Sequence, residues 1–212
     1  MHPYSHDASR TRSAYLLLAV VAILLAWALG SGLHAIRVSP PWWLDTPAVV
    51  GMYGLLWKWY DRVLWRVRVG GQTLSGIPDY GGSWNGSVHS SHEGGMTFPA
   101  HLTIHQTSSR LLVELQTELS GSMSHVAMLC GRPGRDRGLQ YVYANWPRHV
   151  PPDASAQPSP PPSQRAVPLA MHAHEGVARL LLRADGTLDG DYQNDRHRGT
   201  YGTLSFDERV SS

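Results

Sequence analysis

The chain has 212 residues, of which 16% are charged, and its net charge of +2 conceals an uneven distribution. The first 77 residues carry seven Lys and Arg against three Asp and Glu, whereas the remainder carries eleven against thirteen. The length allows one ordinary domain plus an attachment, and the slightly acidic remainder argues against long DNA or RNA as a partner. The single cysteine, Cys130, excludes an intrachain disulfide.

The first predicted element is a transmembrane helix. Residues 13–36 contain no charge and form a run of 24 residues between Arg12 and Arg37. About 20 predominantly apolar residues suffice to cross the hydrocarbon core as a helix. Residues 1–12 are polar, and we expect a loose cytoplasmic N-terminus there. A cleaved secretory signal is the alternative, although such signals have a shorter apolar core.

Small residues recur every four positions along this first helix, at Ala22, Ala26 and Gly30. Small side chains in that register let two helices approach closely in lipid, so these three residues predict a helix-packing face in an assembled state. Chance spacing is the alternative, because alanine is common in such segments.

A second, shorter apolar helix is predicted after a proline turn, which completes a two-helix transmembrane region over residues 13–69. Trp42 and Trp43 suit an interfacial aromatic belt. Only twelve uncharged residues separate Asp45 from Lys58, which is short for a span unless the flanking belt residues are included. An amphipathic helix lying on the membrane surface is the alternative.

Basic residues flank the two helices and predict their orientation. They are Arg10 and Arg12 on one side, and Lys58, Arg62, Arg66 and Arg68 on the other, with Arg37 alone in the loop between the helices. Because cytoplasmic flanks carry the excess of Lys and Arg, both termini are expected in the cytoplasm of a bacterial cell, with the protein in the inner membrane as a multi-pass protein.

Residues 70–79 form a predicted glycine-rich hinge. After it, the spacing of apolar residues changes from the 3.6 positions of a helix to every second position. In Arg110 to Leu119, apolar residues alternate with Glu and Gln, as in a half-buried antiparallel strand. Similar segments recur through residues 80–212, and Asp185-Gly186 marks a tight hairpin. About eight short strands without a long helix predict a small antiparallel β-barrel that senses a ligand, with an open sandwich as the alternative. The fold class is therefore membrane α plus all-β, with two N-terminal transmembrane helices and an eight-stranded barrel.

A proline-rich segment interrupts the predicted strands at residues 147–168. It holds eight of the fifteen prolines in the chain and is expected to form a polyproline or disordered loop at one rim of the barrel. A ligand for a proline-binding domain is the less favoured interpretation.

The sequence lacks the residue patterns of the common metal and catalytic sites. His172 and His174 are two residues apart without the cysteine or acidic partners of a familiar zinc site, and His101 and His105 merely share one strand face. There is no nucleophile elbow, P-loop or dinucleotide fingerprint. We therefore expect no metal, no cofactor and no enzyme activity.

Aromatic and polar residues at period two form the candidate ligand site. Aromatic faces stack nucleobases, hydroxyl and amide groups read base edges, and arginine binds phosphate. Buried tyrosines that only pack the core are the alternative interpretation. The candidates are Trp84, Thr117, Ser122, Ser124, Tyr141, Tyr143, Asn145, Tyr192 and Arg196.

Five short motifs follow the two apolar helices in a fixed order. They are Tyr80-x-Gly82-x-Trp84-x-Gly86, Thr117 with Ser122-x-Ser124, Leu139-x-Tyr141-x-Tyr143-x-Asn145-x-Pro147, His174-x-Gly176, and Leu188-x-Gly190-x-Tyr192 with Arg196 and Gly199. This order resembles the two-transmembrane β-barrel effectors of CBASS anti-phage immunity, and the resemblance covers roughly residues 13 to 206.

The resemblance implies a function. A cyclic dinucleotide made by a partner nucleotide synthase would bind in the barrel, the protein would form homo-oligomers through its helices, and the lipids of the inner membrane would lose their integrity. The infected cell would then die before phage matures. Two other classes stay open on the residues alone, namely a membrane-anchored lipocalin-like protein for a small apolar ligand, and a metal enzyme built on the histidines.

Overall fold

The computed structural model describes residues 1–5, 9–37, 45–69, 72–73, 75–91, 95–130, 138–147, 173–196 and 199–210. The chain divides into two compact units. One unit comprises Met1–Ser5, Tyr80–Gln106 and Arg110–Ser212, and the other comprises His6–Asp79 with Thr107–Ser109. The most N-terminal residues therefore belong to the same unit as the C-terminal two thirds of the chain.

The second unit is helical. Helix α1 spans Ser9–Ala35 and packs against α2, which spans Asp45–Arg62. A 3₁₀ turn at Leu64–Arg66 follows, and then a two-stranded ribbon of β2 (Arg68–Val69) and β3 (Gln72–Thr73). α1 begins four residues before the predicted run at Ser13, because Arg10 and Arg12 are good helix formers and extend it.

Only α1 among the described helices is long and apolar enough to cross a membrane. Most of its large apolar side chains are exposed, and Trp27 is 72% exposed. An unpartnered apolar surface of this size marks an interaction with lipid or protein. α2 carries charged residues at both ends, including Asp45, Lys58 and Arg62. It is not long and apolar enough to count as a membrane-spanning helix by the same test. Trp42 and Trp43, the predicted interfacial belt, lie outside the described residues.

The first unit is a closed β-barrel. Its strands are β1 (His2–Ser5), β4 (Gly82–Ser90), β5 (Met96–Gln106), β6 (Arg110–Thr117), β7 (Ser120–Cys130), β8 (Gly138–Pro147), β9 (His174–Leu182), β10 (Leu188–Asn194) and β11 (Tyr201–Val210). From β4 to β11 each strand pairs antiparallel with the next, and β11 returns to pair with β4. The order around the barrel is β1-β6-β5-β4-β11-β10-β9-β8-β7.

The barrel has nine strands, so the predicted number of eight is wrong. The eight predicted strands correspond to β4–β11, and the ninth is β1 at the N-terminus, where a loose segment was expected. β1 pairs antiparallel with β6 through His2 and Leu111, and parallel with β7 through Tyr4 and Ala127. The short polar segment carries no strand signal of its own, and it forms a strand because β6 and β7 leave it a place to pair.

Alternation along the strands sends one set of side chains into the barrel, and we call these positions the inner wall. The largest fully buried barrel residues are Trp84, Tyr80, Phe206, Leu102, Ile104, Leu111, Leu139, Leu180, Leu188 and Val113. They form an apolar core that holds the strands in register, since a one-residue slip would expose every one of them. The predicted proline-rich loop lies outside the described residues from Arg148 onward.

The described part of the predicted hinge, residues 70–79, makes several contacts within the helical unit. Ser75 Oγ donates a 3.0 Å hydrogen bond to the Trp65 carbonyl oxygen, and the Arg66 guanidinium lies 3.6 Å from the Asp79 carboxylate. Ile77 is buried. These contacts attach the segment to the end of the helices.

Candidate functional site

Two tyrosines of β8 are half of the four aromatic residues predicted for the site. Tyr141 and Tyr143 lie on the inner wall, with 3% and 6% of their surface exposed, and their ring centroids are 6.0 Å apart. Burial raises the pKa of the Tyr141 phenol, so the ring stays neutral throughout the physiological range. The predicted alternation of β8 is confirmed, whereas a ligand role for the two rings stays a prediction.

Glycines across the strand pairs make room for the tyrosine rings. A Cβ at Gly176 would lie 2.6 Å from Tyr143 Cζ, and a Cβ at Gly202 would lie 2.6 Å from Tyr192 Cε1. No side chain other than hydrogen fits at such distances, so each ring lies over the backbone of the neighbouring strand. Gly176, from the His174-x-Gly176 motif, and Gly202 of β11 therefore shape the wall beside these rings.

Two consecutive hydrogen bonds connect the hydroxyl group of Tyr143 to Asn194 and Thr200. The Tyr143 hydroxyl donates to Oδ1 of Asn194 at 2.7 Å, and Nδ2 of Asn194 donates to Oγ1 of Thr200 at 2.6 Å. Asn194 is 8% exposed. Both the oxygen and the nitrogen of the amide therefore have a hydroxyl partner.

The predicted polar residues of β6, β7 and β8 lie on adjacent strands. Ser122 is the register partner of Asn145, and Ser124 is the register partner of Tyr143. Thr117 closes the β6–β7 turn, where its Oγ1 accepts the Ser120 amide at 3.1 Å. The structure therefore brings these residues together with the two tyrosines.

The Ser124 hydroxyl already has two partners. Its oxygen accepts the Val113 amide at 2.9 Å and lies 2.8 Å from Nε2 of His2 in β1. Ser124 is 3% exposed, and its bond to the Val113 amide is buried, whereas its bond to His2 is partly buried. The hydroxyl thus stabilises the place where β6 and β7 separate, in addition to any contact with a ligand.

Trp84 and Arg196 lie apart from this group. Trp84 on β4 is 1% exposed, its indole N–H donates to the Tyr80 carbonyl oxygen at 3.2 Å, and the Arg209 guanidinium lies 5.4 Å from its ring centroid. Arg196 is exposed in the turn after β10. Trp84 packs the core, whereas Arg196 lies at the rim just beyond Asn194.

The buried polar residues of the described barrel are all uncharged: Ser90, Gln106, Ser122, Ser124 and Asn194. Two hollows, of about 590 and 490 Å³, are lined mostly by outward positions, and Asp191 lines both; Tyr192 also lines the larger one and Arg179 the smaller one. A carboxylate there disfavours a dianionic ligand, because like charges repel. The inner wall is the better place for a ligand with neutral, flat, hydrogen-bonding groups.

The sequence analysis missed three residues of this region: His2, Asn194 and Thr200. Asn194 follows Tyr192 by two positions, so the period of two places it on the same face and could have found it. Thr200 reaches Asn194 only through the β10–β11 turn, and His2 reaches Ser124 only through β1. Neither contact has a local sequence signal.

Comparison with known proteins gives two matches. A family model described as the Cap15 cyclic dinucleotide receptor domain matches residues 75–208. CD-NTase-associated protein 15 of Yersinia aleksiciae is 30% identical over 157 residues, which cover 74% of this chain and 67% of that protein. The matched residues 75–208 contain β4–β10, all but the last two residues of β11, and every candidate ligand residue.

Proposed function

Because the chain belongs to the Cap15 cyclic dinucleotide receptor family, we propose that it is a membrane effector of CBASS anti-phage immunity. In this proposal the barrel binds a cyclic dinucleotide, the protein assembles through its helices, and the inner membrane of the infected cell is disrupted. No catalytic step is involved.

The observation that carries the proposal is the match of the receptor-domain model to the barrel strands. The family description names the ligand class, and the inner wall offers suitable chemistry for it. Tyr141, Tyr143 and Tyr192 supply aromatic faces for bases, and Thr117, Ser122 and Asn145 supply groups that donate and accept hydrogen bonds. Ser124 and Trp84 are weaker ligand candidates. The Ser124 hydroxyl already bonds to Val113 and His2, and Trp84 packs the core.

The charge distribution suggests how the ligand is oriented. An isolated charge is costly to bury where only neutral groups surround it, so the bases point inward and the two phosphates stay near the wet rim. Arg196 is exposed beside the end of β10 and provides a phosphate partner there. Asn194, held by Tyr143 and Thr200, then contacts the part of the ligand between bases and phosphates.

Chain connectivity supports the proposed pair of membrane spans. Both ends of the helical segment are continuous with one barrel, since β1 precedes α1 and β4 follows α2. A chain that leaves the barrel's side of the membrane through α1 must cross back before Gly82. α2 is then the return span, with its charged ends at the two interfaces.

In this proposal the N-terminus and the barrel lie on the same side of the membrane. Arg12 lies in the first turn of α1, before its apolar run, and Arg62, Arg66 and Arg68 end or follow α2. The positive-inside rule makes this the cytoplasmic side, where a partner synthase would release the nucleotide. Ligand drives assembly only if it binds the assembled state more tightly than the resting state.

The decisive experiment is a ligand titration of the full chain in nanodiscs. The isolated fragment 78–212 is unsuitable, because it lacks β1. We expect cyclic di-AMP, cyclic di-GMP, cyclic di-UMP or cyclic GMP–AMP to raise the melting temperature and to give saturable heat by calorimetry. Linear dinucleotides serve as controls. Absence of binding by every cyclic nucleotide would overturn the proposal, and saturable binding of a fatty acid instead would favour a lipocalin-like carrier.

A second measurement tests the effector step. Expression of the chain with an active cyclic dinucleotide synthase should make cells permeable to propidium iodide, whereas expression of either protein alone should not. Permeable cells without the synthase would show that the ligand does not control the membrane step.

A further inference from the structure

The barrel wall has a seam between β6 and β7. These strands pair directly only next to their turn, at Glu114–Met123, Leu115–Ser122 and Gln116–Gly121. Farther from the turn they separate, and β7 has a register irregularity against β8 between Ser124 and Val126. Separated strands present unpaired N–H and C=O groups, which are costly when buried.

Residues 2–5 fill the seam. His2 and Pro3 pair with Leu111 and Arg110 of β6, and Tyr4 and Ser5 pair with Ala127 and Met128 of β7. Tyr4 is 8% exposed and points into the barrel, whereas Ser5 is exposed. β1 therefore completes both the hydrogen bonding and the packing of the wall.

The seam is joined to the candidate ligand site through one hydroxyl. The Ser124 oxygen accepts the Val113 amide and bonds to Nε2 of His2, and Ser124 is the register partner of Tyr143. On its other side, β1 is followed after three residues by Ser9, the first residue of α1. β1 is thus the shortest covalent path from the inner wall to the predicted membrane span.

We propose that docking of β1 in the seam and binding of ligand in the barrel stabilise one another, so that β1 reports the occupied barrel to α1. This inference rests on the proposed function. His2 acts in it as a positioning residue, because it holds the Ser124 hydroxyl beside Tyr143. By linkage, a ligand that favours the closed seam must also bind more weakly when β1 is displaced.

Thiol labelling measures the docking directly. In a Cys130→Ser background the chain has no other cysteine, so Tyr4→Cys places one thiol inside the closed seam. We expect the cyclic dinucleotide that binds best in the titration above to slow maleimide labelling of this thiol about fivefold or more. Ser5→Cys is the matched control, because its side chain is exposed and its labelling rate should not change.

His2→Ala tests the reciprocal effect. Loss of this partly buried hydrogen bond should weaken nucleotide affinity about threefold to tenfold. His105→Ala, on the exposed face of β5, should bind as the wild type does. A folded His2→Ala protein with wild-type affinity, or a labelling rate that ligand leaves unchanged, would overturn the inference while leaving the proposed function intact. Failure of the wild-type chain to bind any cyclic dinucleotide would overturn both.

Discussion

The Tyr143 hydroxyl donates a 2.7 Å hydrogen bond to Oδ1 of Asn194, a residue 51 positions farther along the chain. The bond connects β8 to the end of β10 inside the barrel. It is buried, and Asn194 in turn donates to Thr200. A polar chain of this kind rigidifies a wall only while every member keeps its partner.

Tyr143→Phe should lower the free energy of unfolding by about 1–3 kcal/mol, because it leaves the Asn194 carbonyl oxygen buried without this donor. Chemical unfolding of the full chain measures the change. Tyr201→Phe is the control, since Tyr201 is 65% exposed, and it should leave the stability unchanged. Equal stability of the Tyr143→Phe and wild-type proteins would show that the hydrogen bond contributes nothing.

Gly176→Ala should also destabilise the barrel. The new methyl group would meet the Tyr143 ring and the Gln193 carbonyl oxygen, 2.8 Å from an ideal Cβ. Overpacking of this kind typically costs about 1–3 kcal/mol. Tyr143→Leu removes the ring, so in a double-mutant cycle the combined loss should be smaller than the sum of the single losses. Additive losses would indicate that the ring and the glycine do not interact.

Arg196→Ala should weaken nucleotide binding without changing stability. Arg196 is exposed in the β10–β11 turn, so its removal opens no cavity. Loss of one phosphate contact should lower the affinity about fivefold to tenfold, and the loss should shrink at high salt, which screens exposed charges. Arg183→Ala is the matched control, since Arg183 is also exposed and pairs with Asp189 on the outer face. An equal effect of both substitutions would point to long-range attraction rather than to a contact.

Periodicity alone predicted the longer strands and the side of β8 that faces inward, because each such strand alternates over at least seven residues. The Asp185-Gly186 hairpin is also confirmed, since both residues lie between β9 and β10 and Gly186 has a φ of 92°. These features are set by neighbours within a few residues. They can therefore be read from a single sequence.

The seam and its strand could not be predicted in this way. His2, Pro3, Tyr4 and Ser5 have neither alternation nor β-branched side chains, and Pro3 argues against a strand. They form β1 because β6 and β7 separate more than a hundred residues later in the chain. The same reason explains the missed His2–Ser124 contact, since tertiary pairing, not local propensity, determines it.

The β9–β10 turn should add an acid-sensitive contribution to stability. Hydrogen bonds from the Thr187 amide and hydroxyl lower the pKa of the Asp185 carboxyl. A carboxyl group whose pKa is lowered by folding stabilises the folded state above its unfolded pKa, about 3.9, and this stabilisation is lost as the pH falls through the lower folded pKa. Asp185→Asn should therefore lower the melting temperature at pH 7.

The difference between Asp185→Asn and the wild type should shrink as the pH falls below about 4, because the carboxyl group of the unfolded chain takes up its proton there, whereas that of the folded chain does so only at lower pH. Thr187→Val keeps the amide donor but removes the hydroxyl, so it should remove part of the pH dependence. Thermal unfolding at a series of pH values measures both. A difference that stays constant down to acid pH would contradict the assignment to Asp185.

Ala22 should tolerate no larger side chain, because it is fully buried in the helical unit, where α1 and α2 pack together. Ala22→Leu should lower the free energy of unfolding by about 1–3 kcal/mol through overpacking. Ala28→Leu is the matched control, since Ala28 is exposed on the same helix. Ala26 and Gly30 lie four and eight residues farther along the same face and are half-buried. Substitution by leucine should therefore cost less stability at Ala26 than at Ala22, and least at Gly30.

Comparing stability with permeabilisation of cells separates the two roles that the small-residue face could have. If the face only packs α1 on α2 within one chain, Ala22→Leu should reduce stability and permeabilisation together. If it also joins copies in the assembled state, Gly30→Leu should abolish permeabilisation while the melting temperature stays near that of the wild type, because no atom lies within 4 Å of a Cβ built at Gly30. We expect the second result, since an apolar face left with open space beside it can still accept a neighbouring helix in lipid. Normal permeabilisation by Gly30→Leu would restrict the role of Ala22, Ala26 and Gly30 to packing within the chain.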